Sequence, residues 1–213
     1  MEEEQRGTHD RIGGRDVSGL RQDGGVPTHV ALLRGINVGG HNKVAMAELR
    51  EVVSSLGHGD VATYIQSGNV VFTSDQSDTA ALAAALEQAI ATSLSVPARV
   101  VVLSREDLAQ VARDNPYAGE PNPKAVHAVF LSGEPGPDVA DRVAAAQQLA
   151  AEQGSPDTAQ LVGRTIFMHT PDGYGRSDLA AALVKLGQKK TDTVTGTARN
   201  WATVTKLLTM CDG

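Results

Sequence analysis

The order in which apolar spacing changes along the chain restricts its fold more than any single motif. The run His29-Val-Ala-Leu-Leu-Arg34 is short and continuous, as in a buried strand. Met46, Leu49, Val52, Val53 and Leu56 then recur at helical spacing, and Gly57 stops the helix. Residues 61–66 and 70–73 return to strand-like runs, and Gly68-Asn69 between them predicts a two-residue hairpin turn. Leu82, Leu86, Ile90 and Leu94 mark a second helix entered near Ser77-Asp78, and residues 99–103 form another strand. The order β-α-β-β-α-β predicts an α+β, ferredoxin-like N-terminal half, with one antiparallel sheet and both helices on one face.

Ser104 with Asp107 three residues on has the form of a capping box, opening a short helix through Val111. Residues 115–123 carry too much Pro and Gly to continue it. The expected division is an extension over 1–27, a ferredoxin-like domain over 28–114, a linker over 115–123 and a second, smaller α+β domain over 124–213.

In that second half, residues 125–131 read as a strand and Val139, Val143, Ala146 and Leu149 line a helix from Pro137 to Gly154. Two short strands follow, 159–162 and 165–169, turning at Gly163-Arg164. Ser177 caps a helix bearing Leu179, Leu183 and Leu186, which Gly187 ends. The Thr-rich residues 191–197 read as a connection into a last helix on Trp201, Val204, Leu207 and Leu208, opened by Arg199 and Asn200. The spacing suggests a second β-α-β-β-α unit.

Residues 1–27 are of a different material. After Met1 only Ile12, Val17, Leu20 and Val26 are sizeable apolar residues, too few to offset the entropy of ordering. The segment reads as a disordered extension. Three glutamates after Met1 and no apolar core argue against a secretory signal.

Aromatic residues make up only 3% of the chain, so its core must come largely from Ala, Val and Leu. The same scarcity argues against a base-stacking surface. The net charge of −6 gives no general attraction to nucleic acid or to an anionic membrane. Lys185, Lys189, Lys190, Arg199 and Lys206 nevertheless concentrate basic charge near the C-terminus. The lone Cys211 cannot form an internal disulfide, and no stretch approaches the roughly 20 apolar residues needed to cross a bilayer. A cytoplasmic protein is expected. The six histidines show no paired metal spacing, and no cofactor motif is present, so neither metal nor cofactor is assigned.

Three segments, taken in order, are more specific. They are Ala31-Leu-Leu-Arg-Gly-Ile-Asn-Val-Gly-Gly40, Thr63-Tyr-Ile-Gln-Ser-Gly-Asn-Val-Val-Phe72 and Thr197-Ala-Arg-Asn-Trp-Ala-Thr-Val-Thr-Lys-Leu-Leu208. In these the chain resembles the bacterial family catalogued as domain of unknown function 1697, from Thr28 to the C-terminus. The resemblance implies a two-part α+β fold and brings no reaction, cofactor or catalytic residue.

The first segment is also the strongest candidate for chemistry. Glycines let backbone N–H groups approach an anion, and the helix that follows adds partial positive charge. Arg34 and Lys43 supply full charges, the Asn37 amide orients a ligand, and Gly39 and Gly40 shape the loop. Ser67 precedes the expected hairpin turn and Asn69 is its second residue, and Arg199 and Asn200 stand at the last helix. A cation at a helix start opposes the dipole, so Arg199 calls for a carboxylate or a bound anion. The bland alternative is a tight glycine turn with Arg34 held by a structural partner.

These residues predict a binding module for a small anionic or phosphorylated ligand. Two other readings compete: an enzyme with its site between the halves, and an RNA-binding module using Tyr64 and Phe72 on the sheet. Oligomeric state is not set by the sequence.

Overall fold

The computed structural model describes residues 26–186 and 194–213. Most of the expected extension, the Gly187 helix stop and the Lys189-Lys190 pair lie outside the described residues.

The first half runs β1 (His29–Arg34), α1 (Met46–Ser55), β2 (Gly59–Tyr64), β3 (Asn69–Thr73), α2 (Thr79–Leu94) and β4 (Arg99–Ser104). Its sheet has the order β2-β3-β1-β4, with every neighbouring pair antiparallel. α2 starts where Asp78 accepts bonds from the Ala80 and Ala81 amides, and it stops at Ser95, which takes a left-handed conformation. One sheet face packs Ala31, Leu33, Val70 and Phe72 against Leu49, Leu82, Leu86 and Ile90 of the two helices.

The helix α3 (Arg105–Arg113) follows β4 directly, held by the Ser104–Asp107 capping box. The second half then repeats the pattern with β5 (Val126–Leu131), α4 (Pro137–Glu152), β6 (Thr158–Val162), β7 (Thr165–His169), α5 (Asp178–Leu183) and β8 (Gly196–Asn200). Its sheet order, β6-β7-β5-β8, matches the first element for element. A last helix, α6 (Trp201–Met210), follows β8 as α3 follows β4. The described residues thus form an α+β protein with two four-stranded antiparallel sheets and six α-helices.

Two expectations need correction. Residues 196–200 form the edge strand β8 rather than a connection, so Arg199 lies in a strand and Asn200 is the cap of α6. Thr and Arg in place of aliphatic residues concealed that strand. Its residues alternate as a strand should, but its polar positions find partners in the other half. The β2–β3 turn is also longer than two residues. Tyr64 pairs with Asn69, leaving Ile65-Gln66-Ser67-Gly68 as the loop, with positive φ at Ile65 (50°) and Gly68 (79°).

The second face of each sheet meets the other half. Val30, Leu32 and Val71 of the first sheet share a core with Ala128, Phe130 and Phe167 of the second, and α3 and α6 close it with Leu108, Val204 and Leu207. Phe72 is fully buried under its own helices and Tyr64 packs on this shared core, so neither ring is available as an open stacking platform.

Because this core belongs to both halves, Phe130→Ala should cost about 3–5 kcal/mol. Urea unfolding followed by Trp201 fluorescence and by far-UV circular dichroism should remain a single coincident transition. Separate transitions for the two halves would contradict a common core.

Candidate functional site

The end of β1, the β2–β3 loop and the edge of β8 surround a cleft of about 620 Å³ between the halves. Gly68 brings the loop this close. A Cβ there would lie 2.6 Å from Ile36 Cδ1 and 2.8 Å from Leu33 Cβ, and its φ of 79° already favours glycine.

Arg199 ties the walls together. Its Nε donates to Asn69 Oδ1, and its Nη2 donates to the carbonyls of Leu33 (2.6 Å), Gly68 (3.1 Å) and Ser67 (3.2 Å). Nη1 reaches Thr197 Oγ1 (3.1 Å) and the Ala198 carbonyl (2.8 Å). Every one of these acceptors is neutral. Burial pushes the guanidinium pKa down to about 10, so it stays charged at neutral pH.

Arg34 makes the reciprocal reach, from β1 into the second half. Nη1 donates to the carbonyls of Leu186 and Gly196, each at 2.6 Å, and Nη2 to that of Val184 (3.0 Å). Val184 and Leu186 follow α5, so the cation meets the negative end of that helix. No Asp or Glu lines the cleft among the described residues.

Asn37 behaves differently from the expectation. Its amide donates to the carbonyls of Val44 (3.0 Å) and Gln66 (2.9 Å) and accepts from the Val44 amide (2.9 Å). It clips two loops together rather than presenting a free group. Gly39 and Gly40, with φ of 58° and 80°, form the tip of a small hairpin closed by the Val38–His41 bridge. Gly40 and Lys43 line a neighbouring hollow, away from Arg199. Asn69 holds its loop through Tyr64 O (2.9 Å) and Ser67 Oγ (3.1 Å), and Asn200 accepts from the Thr203 amide (2.8 Å).

The cleft therefore gathers Arg34, Asn37, Ser67, Arg199 and Asn200, and leaves Gly39, Gly40, Lys43 and Asn69 out of its lining. It also contains two residues that the sequence did not single out, His127 and Tyr174, whose rings stack at 4.1 Å. His127 is about nine-tenths buried, its Nδ1 has no partner among the described residues, and burial lowers its pKa to about 4. Tyr174 is pushed up by burial, partly countered by Arg34. The one available signal was a histidine inside the apolar run of β5. Among the described residues no group of three or more His, Cys, Asp and Glu is placed to hold a metal, and no helix is long and apolar enough to cross a membrane.

Two like-ordered α+β halves with an arginine-tied cleft between them define the class of protein. The family model described as protein of unknown function (DUF1697) matches residues 26–167, and the chain belongs to that family. A solved structure, that of the conserved bacterial protein SP0830 from Streptococcus pneumoniae, is similar over 87% of this chain and 98% of its own. The identity is 29% and the TM-score 0.63. The chain matches none of the curated proteins.

Replacing Arg199 with Met should cost about 3 kcal/mol or more, since several buried acceptors lose their donor together. A urea-melt difference below about 1 kcal/mol would show that this tie is not needed. A second expectation concerns pH. His127 is neutral when folded, with a pKa below its unfolded value, so the unfolded chain takes up the proton first. The stability it contributes is complete above about pH 6.5 and falls as the pH drops toward 4. His29 and His58 shift in the same direction, so the diagnostic is comparison with His127→Asn, which should lose less stability between pH 7 and pH 5.

Proposed function

We propose that this chain binds a small anionic ligand in the cleft between its halves. One observation carries the reading: the Arg199 guanidinium is buried among neutral acceptors, in a cleft whose described lining contains Arg34 and no carboxylate. A buried cation without a counter-charge leaves a positive potential that an incoming anion neutralises. The Gly39-Gly40 hairpin and Lys43 are not needed for this site. They stand at its neighbour, where Lys43 adds long-range attraction.

We read both halves as ferredoxin-like units, on the strength of their β-α-β-β-α-β order and matching strand orders. We read the protein as cytoplasmic and as bacterial, the latter supported by its bacterial structural neighbour. The enzyme reading keeps one specific support, the neutral His127 beside Tyr174, which supplies a group able to take a proton in the same cleft. The RNA reading draws no support from Phe72, which is buried.

Gln66 offers a direct test, because it is exposed on the rim and its side chain holds nothing. Gln66→Glu adds a negative charge at the cleft mouth. A charge a few ångströms from the ligand is worth about 1 kcal/mol in water, a factor of about five in affinity. Thermal-shift titrations with phosphate, sulfate and short carboxylates should show stabilisation of the wild type and weaker binding by this variant. Equal stabilisation by neutral analogues, or by no compound at all, would overturn the proposal.

A further inference from the structure

The pseudo-repeat supplies an internal control for the cleft. His29 faces Ser104 across β1 and β4, and His127 faces Asn200 across β5 and β8, so the two edge strands correspond residue by residue. Each edge strand looks onto an inter-half hollow, of about 360 Å³ beside β4 and about 620 Å³ beside β8. What covers the two edges differs.

On β4 two of the three outward N–H groups, at the two ends of the strand, are taken by carboxylates, and that of Val102 between them is not. Val100 donates to Glu87 Oε1 (2.9 Å), and Ser104 donates to Asp107 Oδ2 (3.3 Å). Such capping keeps an edge strand from recruiting other groups. On β8, Ser132 N donates to Thr195 O, which fixes the alternation. Thr197 and Arg199 turn their backbone groups to β5, and Gly196, Ala198 and Asn200 turn theirs to the cleft. There the two arginines take the carbonyls: Arg34 that of Gly196, and Arg199 that of Ala198. The amides of Ala198 and Asn200 donate to no described residue, and no carboxylate stands where Asp107 stands on β4, since Thr203 holds that position.

An ordinary strand edge alternates donors and acceptors and suits a peptide. Among the described residues this edge has its Gly196 and Ala198 carbonyls taken and its Ala198 and Asn200 amides without an acceptor. We infer that the β8 edge recognises a ligand with two acceptor-only anionic head groups on a short linear linker. Successive outward amides are two residues apart, about 7 Å along a strand. A carboxylate pair of glutarate length spans that distance, whereas a single carboxylate or phosphate reaches only one amide. The inference rests on the anion-binding reading and narrows it to a ligand geometry.

The test is an amide-detected NMR titration of the full chain with glutarate, with acetate, malonate, suberate and inorganic phosphate in parallel. Glutarate should move the Ala198 and Asn200 amides downfield and saturably, with a dissociation constant at least tenfold below those of acetate, malonate and phosphate. Thr203→Asp copies the β4 arrangement, capping the Asn200 amide with a carboxylate, and should weaken glutarate at least tenfold while α6 stays folded by circular dichroism. Should this variant fail to fold, the wild-type shift pattern and chain-length series decide the matter alone. Binding that ignores linker length, or that shifts cleft amides other than Ala198 and Asn200, overturns this inference and leaves the anion site standing. Absence of binding by every anion removes both.

Discussion

The Arg199 guanidinium is the point on which the arrangement of the two halves turns. It stands on the outermost strand of the second sheet and satisfies carbonyls at the end of β1 and in the β2–β3 loop of the first. Those carbonyls belong to backbone at the end of a strand or in a loop, where ladder partners run out (that of Gly68 still accepts the Leu33 amide), and a buried carbonyl without a donor is costly. A planar group with five donors can serve them together; an ammonium could not. Arg34 does the same in the opposite direction for the end of α5 and the edge of β8. The two side chains cross the boundary like clasped hands, and each fixes the loops that form the cleft.

The shared core explains why such ties are possible. Each sheet spends one face on its own pair of helices and the other on the opposite half, with α3 and α6 filling the seam. Few aromatics are available, so burial is spread over many Val, Leu and Ala residues, and Phe130 and Phe167 occupy the centre of the seam. Tyr64 packs against this seam, and Phe72 lies in the first half's own core.

The cleft owes its electrostatic character to a difference between the repeats. Where the first half closes its edge strand with Glu87 and Asp107, the second half closes its own with arginines. On the first edge carboxylates take two outward amides; on the second, arginines take two outward carbonyls. Function, on this view, arises from a departure from symmetry at a few positions, within a backbone plan that both halves obey.

Much of the secondary structure was legible in the sequence, because apolar period, caps and glycine stops are local signals. Asp78, Ser104 and Ser177 each cap the helix whose start they marked, and β1, β5 and β7 lie where continuous apolar runs placed them. The family resemblance was carried by the segments that build the cleft walls. The strand β8 was not legible, since its polar Thr197 and Arg199 bond to Leu33, more than 100 residues away. For the same reason the sequence named Arg34, Ser67, Arg199 and Asn200 as polar candidates but could not say what they touch. It assigned Asn37 to a ligand when the fold uses it as a clip, and it passed over His127, which looked like one more residue of an apolar strand. Local spacing determined the elements and their order. Which polar groups face one another, and whether a charge is met by a carboxylate or by carbonyls, was decided only when the two sheets came together, because those contacts depend on tertiary distance rather than on sequence neighbours.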